Sequence, residues 1–376
     1  MSITEFTKAL YKTNKYFDGH TGISWDDLYP LEKKLPPFPA INMEDSLLLI
    51  NGKQIISVNN IPATNLIELV NGATYKGMHP KIKIKKINTS MAPLLYLCYG
   101  IKSPFIIQYK NKEEIKTDTV FTRIPAQPQR KEREMTLPYY LDIYDKESIA
   151  VITYSTSAGK HETYLKDFCR LAFKDIIRKK IKYLFIDVTQ NPGGNDGMHG
   201  YLYNYLLKKS YKFKIMESFS SYMFEKLVEE ETQQYKENKK LTKKIANMKA
   251  YFYSHNNTYP QKRTYKSWIK GPKFKGKIFI IQSNHTYSAG ADFCLYTKSM
   301  LKNNCTLVGE ECGQYFPYAG NVVDAFLPNS HIQFRYATKI TYDPDTYLKN
   351  GFLQPDIWYD VNKELELKDY INIIKK

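Results

Sequence analysis

An α/β protein built on a mostly parallel sheet is the fold class this sequence predicts, and three observations carry it. From Ile149 onward, short apolar β-branched runs alternate with segments of helical period, the rhythm of strands joined by crossover helices. One such run, Ile278 to Ile281, ends in a polar corner followed by small residues and a helical pattern. Ahead of both, residues 46 to 122 carry hairpin and short-helix signals of their own, which mark a separate small mixed α/β domain.

In chain order, Phe6, Leu10, Tyr11, Tyr16 and Phe17 predict a short helix closed by Asp18-Gly19, with His20 and Thr21 on the loop behind it. The Pro-rich run from Leu35 to Pro39 then carries the chain extended. Ser46 to Ile50 and Gln54 to Val58 flank Asn51-Gly52, a strong hairpin signal. Short helices are expected at Asn65 to Val70 and Met91 to Tyr99, and strands at Phe105 to Tyr109 and Thr119 to Arg123. His79, in a basic loop before Pro80, reads as solvated. Pro125, Pro128 and the charged run Arg130 to Glu134 read as a linker.

The second half is more regular. Ile149 to Tyr154 predicts a strand. Tyr164 to Lys180 predicts a helix with Leu165, Phe168, Cys169, Ala172, Phe173 and Ile176 on one face. Ile181 to Val188 reads as a buried strand ending in a glycine loop at Gly193-Gly194, with a helix at Tyr201 to Leu207. The basic stretch from Glu225 to Lys249 reads as one long solvated helical insertion. The last signal is the strand, corner and helix around Ser288. A serine there sits at a helix N-terminus, where free N–H groups and the helix dipole favour an oxyanion, although the same position also suits a plain N-cap.

Composition bounds the function. The chain has 376 residues, enough for two or three domains, with 43% hydrophobic and 25% charged residues as in ordinary globular proteins. No apolar run reaches the length of a membrane span, and no signal peptide is visible ahead of Phe6. The expectation is a cytoplasmic protein, or a periplasmic, cell-envelope or extracellular one if a leader has been removed. The net charge of +17 is spread along the chain and the 32 tyrosines are scattered, so nucleic acid is not expected as a partner. Five cysteines without a CxxC pair suggest neither a zinc site nor a disulfide framework. Cys98, Cys169 and Cys294 read as core residues, and Cys312, in a Gly-rich loop, as the thiol to test for reactivity. No metal or cofactor is called for.

Three pieces then line up as a nucleophilic site. Ser288 needs a base to take its proton and N–H donors to hold an oxyanion. Gly193 or Gly194 can offer one N–H from a strand end, and Ala289 the second from the turn. His20 is the preferred base because it follows a turn on a loop; His285 and His199, close to the site loops, stay open as alternatives.

Seven segments in this order resemble the S41 family of serine peptidases, the C-terminal processing peptidases and the tricorn core peptidase, in the bacterial branch with a Ser–His site. They are Asp18-Gly19-His20-Thr21, Phe38-Pro39, the run from Ile186 through Asn191-Pro192 to Gly194, Thr286 to Asp292, Val308 to Gly313, Leu327 to Ser330, and Gln354 to Ile357. The resemblance implies a ClpP/crotonase-like core with a mostly parallel sheet over residues 145–376. It also implies a PDZ-like domain over 46–125 and a short N-terminal helical segment over 1–40 that brings in the catalytic histidine. It assigns Ser288 as nucleophile, His20 as general base, and Ala289 with Gly193 or Gly194 as oxyanion hole. It points to a serine endopeptidase acting through an acyl-enzyme on a peptide or protein presented by the PDZ-like domain.

The chain also departs from the family pattern. Gln314 stands where the Ser–Lys branch has lysine, and an amide cannot accept the proton. Gly19 replaces the serine of the tricorn tetrad, and Thr189 replaces the strand-end arginine. Leu348 to Gly351 offers no acid, which leaves Asp343 and Asp345 as candidates to support the histidine. The alternative function is therefore a catalytically impaired relative that binds peptides or another ligand in the same cleft.

Overall fold

The computed structural model describes residues 22–23, 34–44, 47–73, 79–123, 137–219, 221–234, 236–326, 333–342, 351–361 and 363–376. The chain divides into two units, residues 1–135 with 319–338, and residues 136–318 with 339–376. The expected helix before Asp18, the linker at 125–134, and the segment Leu327 to Ser330 lie outside the described residues. So do the candidate site residues His20, Asp343 and Asp345.

In the first unit, β1 is Gly22–Ile23, β2 Asn42–Glu44, β3 Leu47–Ile50, β4 Lys53–Val58 and β5 Ile61–Pro62. Helices α1 (Ala63–Ala73) and α2 (Pro80–Tyr99) follow, then β6 (Phe105–Asn111) and β7 (Glu114–Val120). Asn51 and Gly52 carry positive φ, 50° and 74°, and join β3 to β4 as a two-residue hairpin with Ile50 opposite Lys53. The strands run in the order β2-β3-β4-β6-β7, which leaves β7 at one edge. Apolar residues of β3, β4 and β6 (Leu48, Ile55, Val58, Phe105, Ile107) meet Leu66, Val70, Met91 and Leu95 of the helices in one buried core.

Two expectations change here. The second helix is twice the expected length, because Lys81 to Lys86 continue it rather than forming a loop. His79 is buried, and its Nδ1 accepts the Lys81 N–H at 3.3 Å as the cap of α2. An orphan helix N–H is a better partner for that imidazole than solvent.

The second unit is organised on a six-stranded sheet. Its elements begin with β8 (Tyr139–Tyr144), β9 (Ile149–Tyr154), α3 (Glu162–Arg178), β10 (Tyr183–Asp187) and α4 (His199–Leu206). An excursion follows through β11 (Tyr211–Phe219), α5 (Ser221–Gln234), α6 (Lys239–Ser254) and β12 (Thr258–Tyr265). The sheet resumes with β13 (Lys277–Gln282), α7 (Ala289–Leu301) and β14 (Cys305–Gly309), and ends with a strand at Ile357–Trp358 and a helix at Leu367–Lys375. Strand 357–358, β14, β13, β10 and β9 pair in parallel in that order, and β8 closes the edge antiparallel to β9.

Both faces of this sheet are buried, which is why its strands read as continuous apolar runs. Ile152, Leu184, Ile186, Ile278, Ile280 and Leu307 pack under α3, α4 and α7. Val151, Phe185, Phe279, Ile281 and Val308 face Tyr370 and Ile373 of the last helix, with the Phe185 and Phe279 rings stacked at 4.7 Å. The register places Asp187 beside Ile281 and Gln282 beside Gly309. Three loops therefore leave neighbouring strands at the same, C-terminal end, the place where α/β sheets carry their sites.

The basic insertion is two helices, not one. β11 and β12 form an antiparallel ribbon from Tyr211↔Tyr265 to Ser218↔Thr258, and α5 and α6 lie between them. Asn238 caps α6 by accepting the Leu241 N–H at 3.2 Å, and Phe224, Val228, Ile245 and Phe252 make a small core of their own.

Candidate active site

The corner after β13 is pinned before it turns. Ser283 Oγ donates to Thr189 O at 2.6 Å and Thr286 Oγ1 to Val188 O at 2.8 Å, so the turn is tied to the end of β10. The Thr286 hydroxyl also accepts the Ser283 N–H at 3.0 Å. Tyr287 N–H donates to Asn191 O at 3.0 Å. Ser288 follows at φ 49° and ψ −125°, a conformation an L-residue adopts only when its surroundings enforce it. Ser288 is half-buried and its hydroxyl makes no cap bond to its own helix, so the side-chain N-cap reading of this serine is not the one realised.

At the start of α7, Gly290 N–H donates to Tyr287 O at 2.9 Å and Asp292 N–H to Ser288 O at 3.0 Å. Among the described residues no acceptor takes the Ala289 N–H, one of the orphan donors of a helix start. The Ser288 N–H is held by Gln314 Oε1 at 3.3 Å, and Gln314 Nε2 donates to Tyr315 O at 2.9 Å. Gln314 is buried. The glutamine singled out in the sequence thus supplies an acceptor to the serine's backbone.

The glycine loop is pressed against this turn. A Cβ on Gly193 would lie 2.6 Å from Ser288 Cβ and 3.0 Å from Ala289 N, and its φ of +104° disfavours any other residue. A Cβ on Gly194 would lie 2.4 Å from Ser157 O. The loop is anchored by Asn191, which is fully buried. Its Oδ1 accepts the Gly193 N–H at 3.0 Å, while its Nδ2 donates to Tyr154 O at 3.0 Å and lies 3.3 Å from Ser157 Oγ. With the Gly193 N–H committed to Asn191 and its carbonyl accepting Ser157 N–H at 3.1 Å, Gly194 is the glycine whose N–H enters none of these bonds. Of the glycine pair left open by the sequence, Gly194 is the one whose N–H is uncommitted among the described residues.

The histidines separate as well. His199 is completely buried against the rings of Tyr154, Tyr203 and Phe293, and neither of its ring nitrogens has a hydrogen-bond partner among the described residues. Burial holds its pKa down to about 4. It is packed as a core residue. His285 is half-buried on the same corner as Ser288, with its N–H bonded to Ser283 Oγ at 3.0 Å. Cys312 is buried and its Sγ lies 3.4 Å from Gln314 O. Burial pushes its thiol up to about 12, which disfavours the nucleophilic thiolate at the cysteine the sequence marked for testing. Cys98, expected in the core, is half-buried.

Around the helix start lies a charged group that the sequence did not reveal. Arg263 from β12 reaches Asp292 on α7 and Asp196 behind the glycine loop, with Tyr318 between. Its partners are scattered over 120 positions of sequence, so no local spacing announces it. Asn191 and Gln314 were visible as motif members, but their hydrogen-bonding roles depend on side-chain direction. Among the described residues, no cluster of three or more His, Cys, Asp or Glu could hold a metal ion.

Residues 148–357, more than half of the chain, match the family model described as peptidase family S41. Among solved structures, mature CPAF is similar at 12% identity with a TM-score of 0.54, covering 98% of this chain and 85% of that one. Mature CPAF complexed with lactacystin gives 12% and 0.53, over 98% and 86%. The photosystem II D1 C-terminal processing protease gives 10% identity and 0.43, over 96% of this chain and 83% of its own. No curated protein matches the chain in sequence.

Proposed function

The chain belongs to peptidase family S41, and from that membership we propose that it hydrolyses peptide bonds as a serine peptidase with Ser288 as nucleophile. The observation that carries the reading is a half-buried Ser288, its hydroxyl free of any cap bond, on a strand-to-helix turn held at φ 49° with Gly193 packed against it. A side chain held in this way presents its oxygen without competing for its own helix, and small neighbours admit a carbonyl.

In this mechanism the Ser288 Oγ attacks the scissile carbonyl carbon while its proton passes to the imidazole of His20. The carbonyl oxygen becomes an oxyanion and accepts hydrogen bonds from the N–H groups of Ala289 and Gly194 at the positive end of α7. Collapse of the tetrahedral intermediate breaks the C–N bond. The leaving amine takes the proton from the imidazolium, and an ester remains on Ser288. Water, activated by the same imidazole, then hydrolyses the ester. Asp343 or Asp345 supports the charge on the histidine.

The domain reading follows the same premise. Residues 1–40 carry His20, 46–125 form a PDZ-like domain, and 145–376 form a ClpP/crotonase-like peptidase core. Strand β7, at the edge of its sheet with most of its side chains exposed, supports presentation of a peptide by strand addition.

A fluorophosphonate probe tests the assignment. Wild type is expected to take one label per chain, and Ser288→Ala none, with peptide hydrolysis reduced by roughly 10⁴-fold or more. His20→Ala is expected to abolish labelling as well. Loss in His285→Ala instead would transfer the role of base to that residue. A folded wild type that takes no label would favour the peptide-binding relative over the enzyme.

A further inference from the structure

We propose that Arg263 is a positioning residue that fixes the two oxyanion donors relative to each other, an inference that rests on Ser288 being the nucleophile. Arg263 comes from β12, where it pairs with Phe213, and its side chain is 18% exposed. Its Nη1 lies 3.6 Å from Asp196 Oδ2 and 3.7 Å from Asp292 Oδ2. Its Nη2 donates to the Tyr318 hydroxyl at 3.2 Å, and that hydroxyl donates to Asp292 Oδ2 at 3.0 Å. The guanidinium also lies over the Tyr296 ring, 5.6 Å from its centroid.

What matters is where the two carboxylates sit. Asp196 follows Gly194 by two residues on the loop that brings one candidate donor. Asp292 is in the first turn of α7, whose first residue, Ala289, brings the other, and its own N–H is bonded to Ser288 O. One guanidinium therefore stands between the two segments whose separation sets the width of the oxyanion hole. The carboxylates differ in exposure, 52% at Asp196 and 7% at Asp292. Without the arginine, both carboxylates would lose the cation they share, and each lies within three residues of a candidate donor. Loss of the guanidinium should thus tax the transition state more than the bound substrate. Geometry and charge act in the same direction.

The experiment measures the inactivation rate constant at saturation and the half-saturating concentration of the fluorophosphonate probe. The proteins are the full chain as wild type, Asp196→Asn, Arg263→Gln and the double variant, each checked for folding by circular dichroism. Arg263→Gln should lower the saturated rate about 10- to 100-fold, with half-saturation unchanged. Asp196→Asn should lower it several-fold. The double variant should be no slower than Arg263→Gln alone, because both act through one contact. A folded Arg263→Gln with an unchanged rate, a change confined to half-saturation, or additive losses would overturn the inference. Should Arg263→Gln fail to fold, the exposed Asp196→Asn decides, and an unchanged rate in that variant overturns it equally. A wild type that takes no label, or a Ser288→Ala that keeps it, removes the catalytic reading instead and this inference with it.

Discussion

Ser288 spends conformational energy to stand where it does. A non-glycine residue at φ 49° and ψ −125° costs on the order of 1–3 kcal/mol, and the hydrogen bonds of the corner and of Gln314 hold it there. Ser288→Gly should relieve that strain. Its melting midpoint is expected above that of Ser288→Ala, by roughly 1–2 kcal/mol in unfolding free energy, with probe labelling lost in both. Gly193 is constrained more tightly. Gly193→Ala puts a methyl 2.6 Å from Ser288 Cβ at a φ of +104°, so turn or loop must move. The expected outcome is a fall in labelling rate of about 100-fold or more in a chain that still folds, checked by labelling kinetics beside circular dichroism.

His199 sets a pH dependence at the same scale. Its pKa is held down to about 4 by burial, below the ordinary 6.5, so the unfolded chain binds the proton more readily than the folded one. Stability should be unaffected by this group above pH 6.5 and should decline progressively from there to about pH 4. His199→Phe, which has no such proton to bind, should flatten that part of the profile, as read from chemical denaturation at several pH values. None of these residue-level facts was fully legible beforehand. The serine, the glycines and the helix start were, because strand, corner and small residues are contiguous. The Gly193 N–H turned inward to Asn191, and the His199 ring among aromatics, depend on side chains that meet only in the folded chain.

Among the elements, the insertion between β11 and β12 shows where periodicity misleads. Glu225 to Lys249 is charged throughout, and a charged helical pattern does not reveal its own interruption. The break before Asn238 becomes visible only because Phe224 and Phe252 stack at 3.6 Å across it and need two antiparallel segments to do so. Phe252→Ala should cost about 3–5 kcal/mol of local stability. Because the small core of α5 and α6 is separate from the large one, hydrogen exchange should quicken over 221–254 and stay slow in β10 and β13. The hairpin at Asn51-Gly52 and the strand Ile149–Tyr154 were read correctly, since turn chemistry and apolar runs are local. Helix α2 was read too short, because its lysines suggested a loop while Ile84 and Ile87 already continued the helical face.

At the scale of the whole chain, the mixed α/β fold was readable from the alternation of apolar runs and helical periods, and the S41 family from weak motifs in one order, before any coordinates. The cysteines were read less well. Cys169, Cys294, Cys305 and Cys312 are buried and Cys98 is half-buried. Burial pushes the Cys305 and Cys312 thiols up to about 12 and raises those of Cys169 and Cys294 as well. Ellman's reagent should therefore titrate at most one thiol per folded chain and five in denaturant; rapid modification of two or more without denaturant would contradict the packing.

Local order alone determined the rhythm of strands and helices, the turn that carries Ser288, the glycine loop and the family, since each is written in neighbouring residues whose spacing has a direct physical meaning. Tertiary structure alone decided that Gln314 faces the serine's N–H, that Gly194 rather than Gly193 keeps a donor to offer, and that one arginine stands between Asp196 and Asp292. Those outcomes follow from which strand ends lie side by side in the sheet, and contacts between residues tens of positions apart leave no periodic trace along the chain.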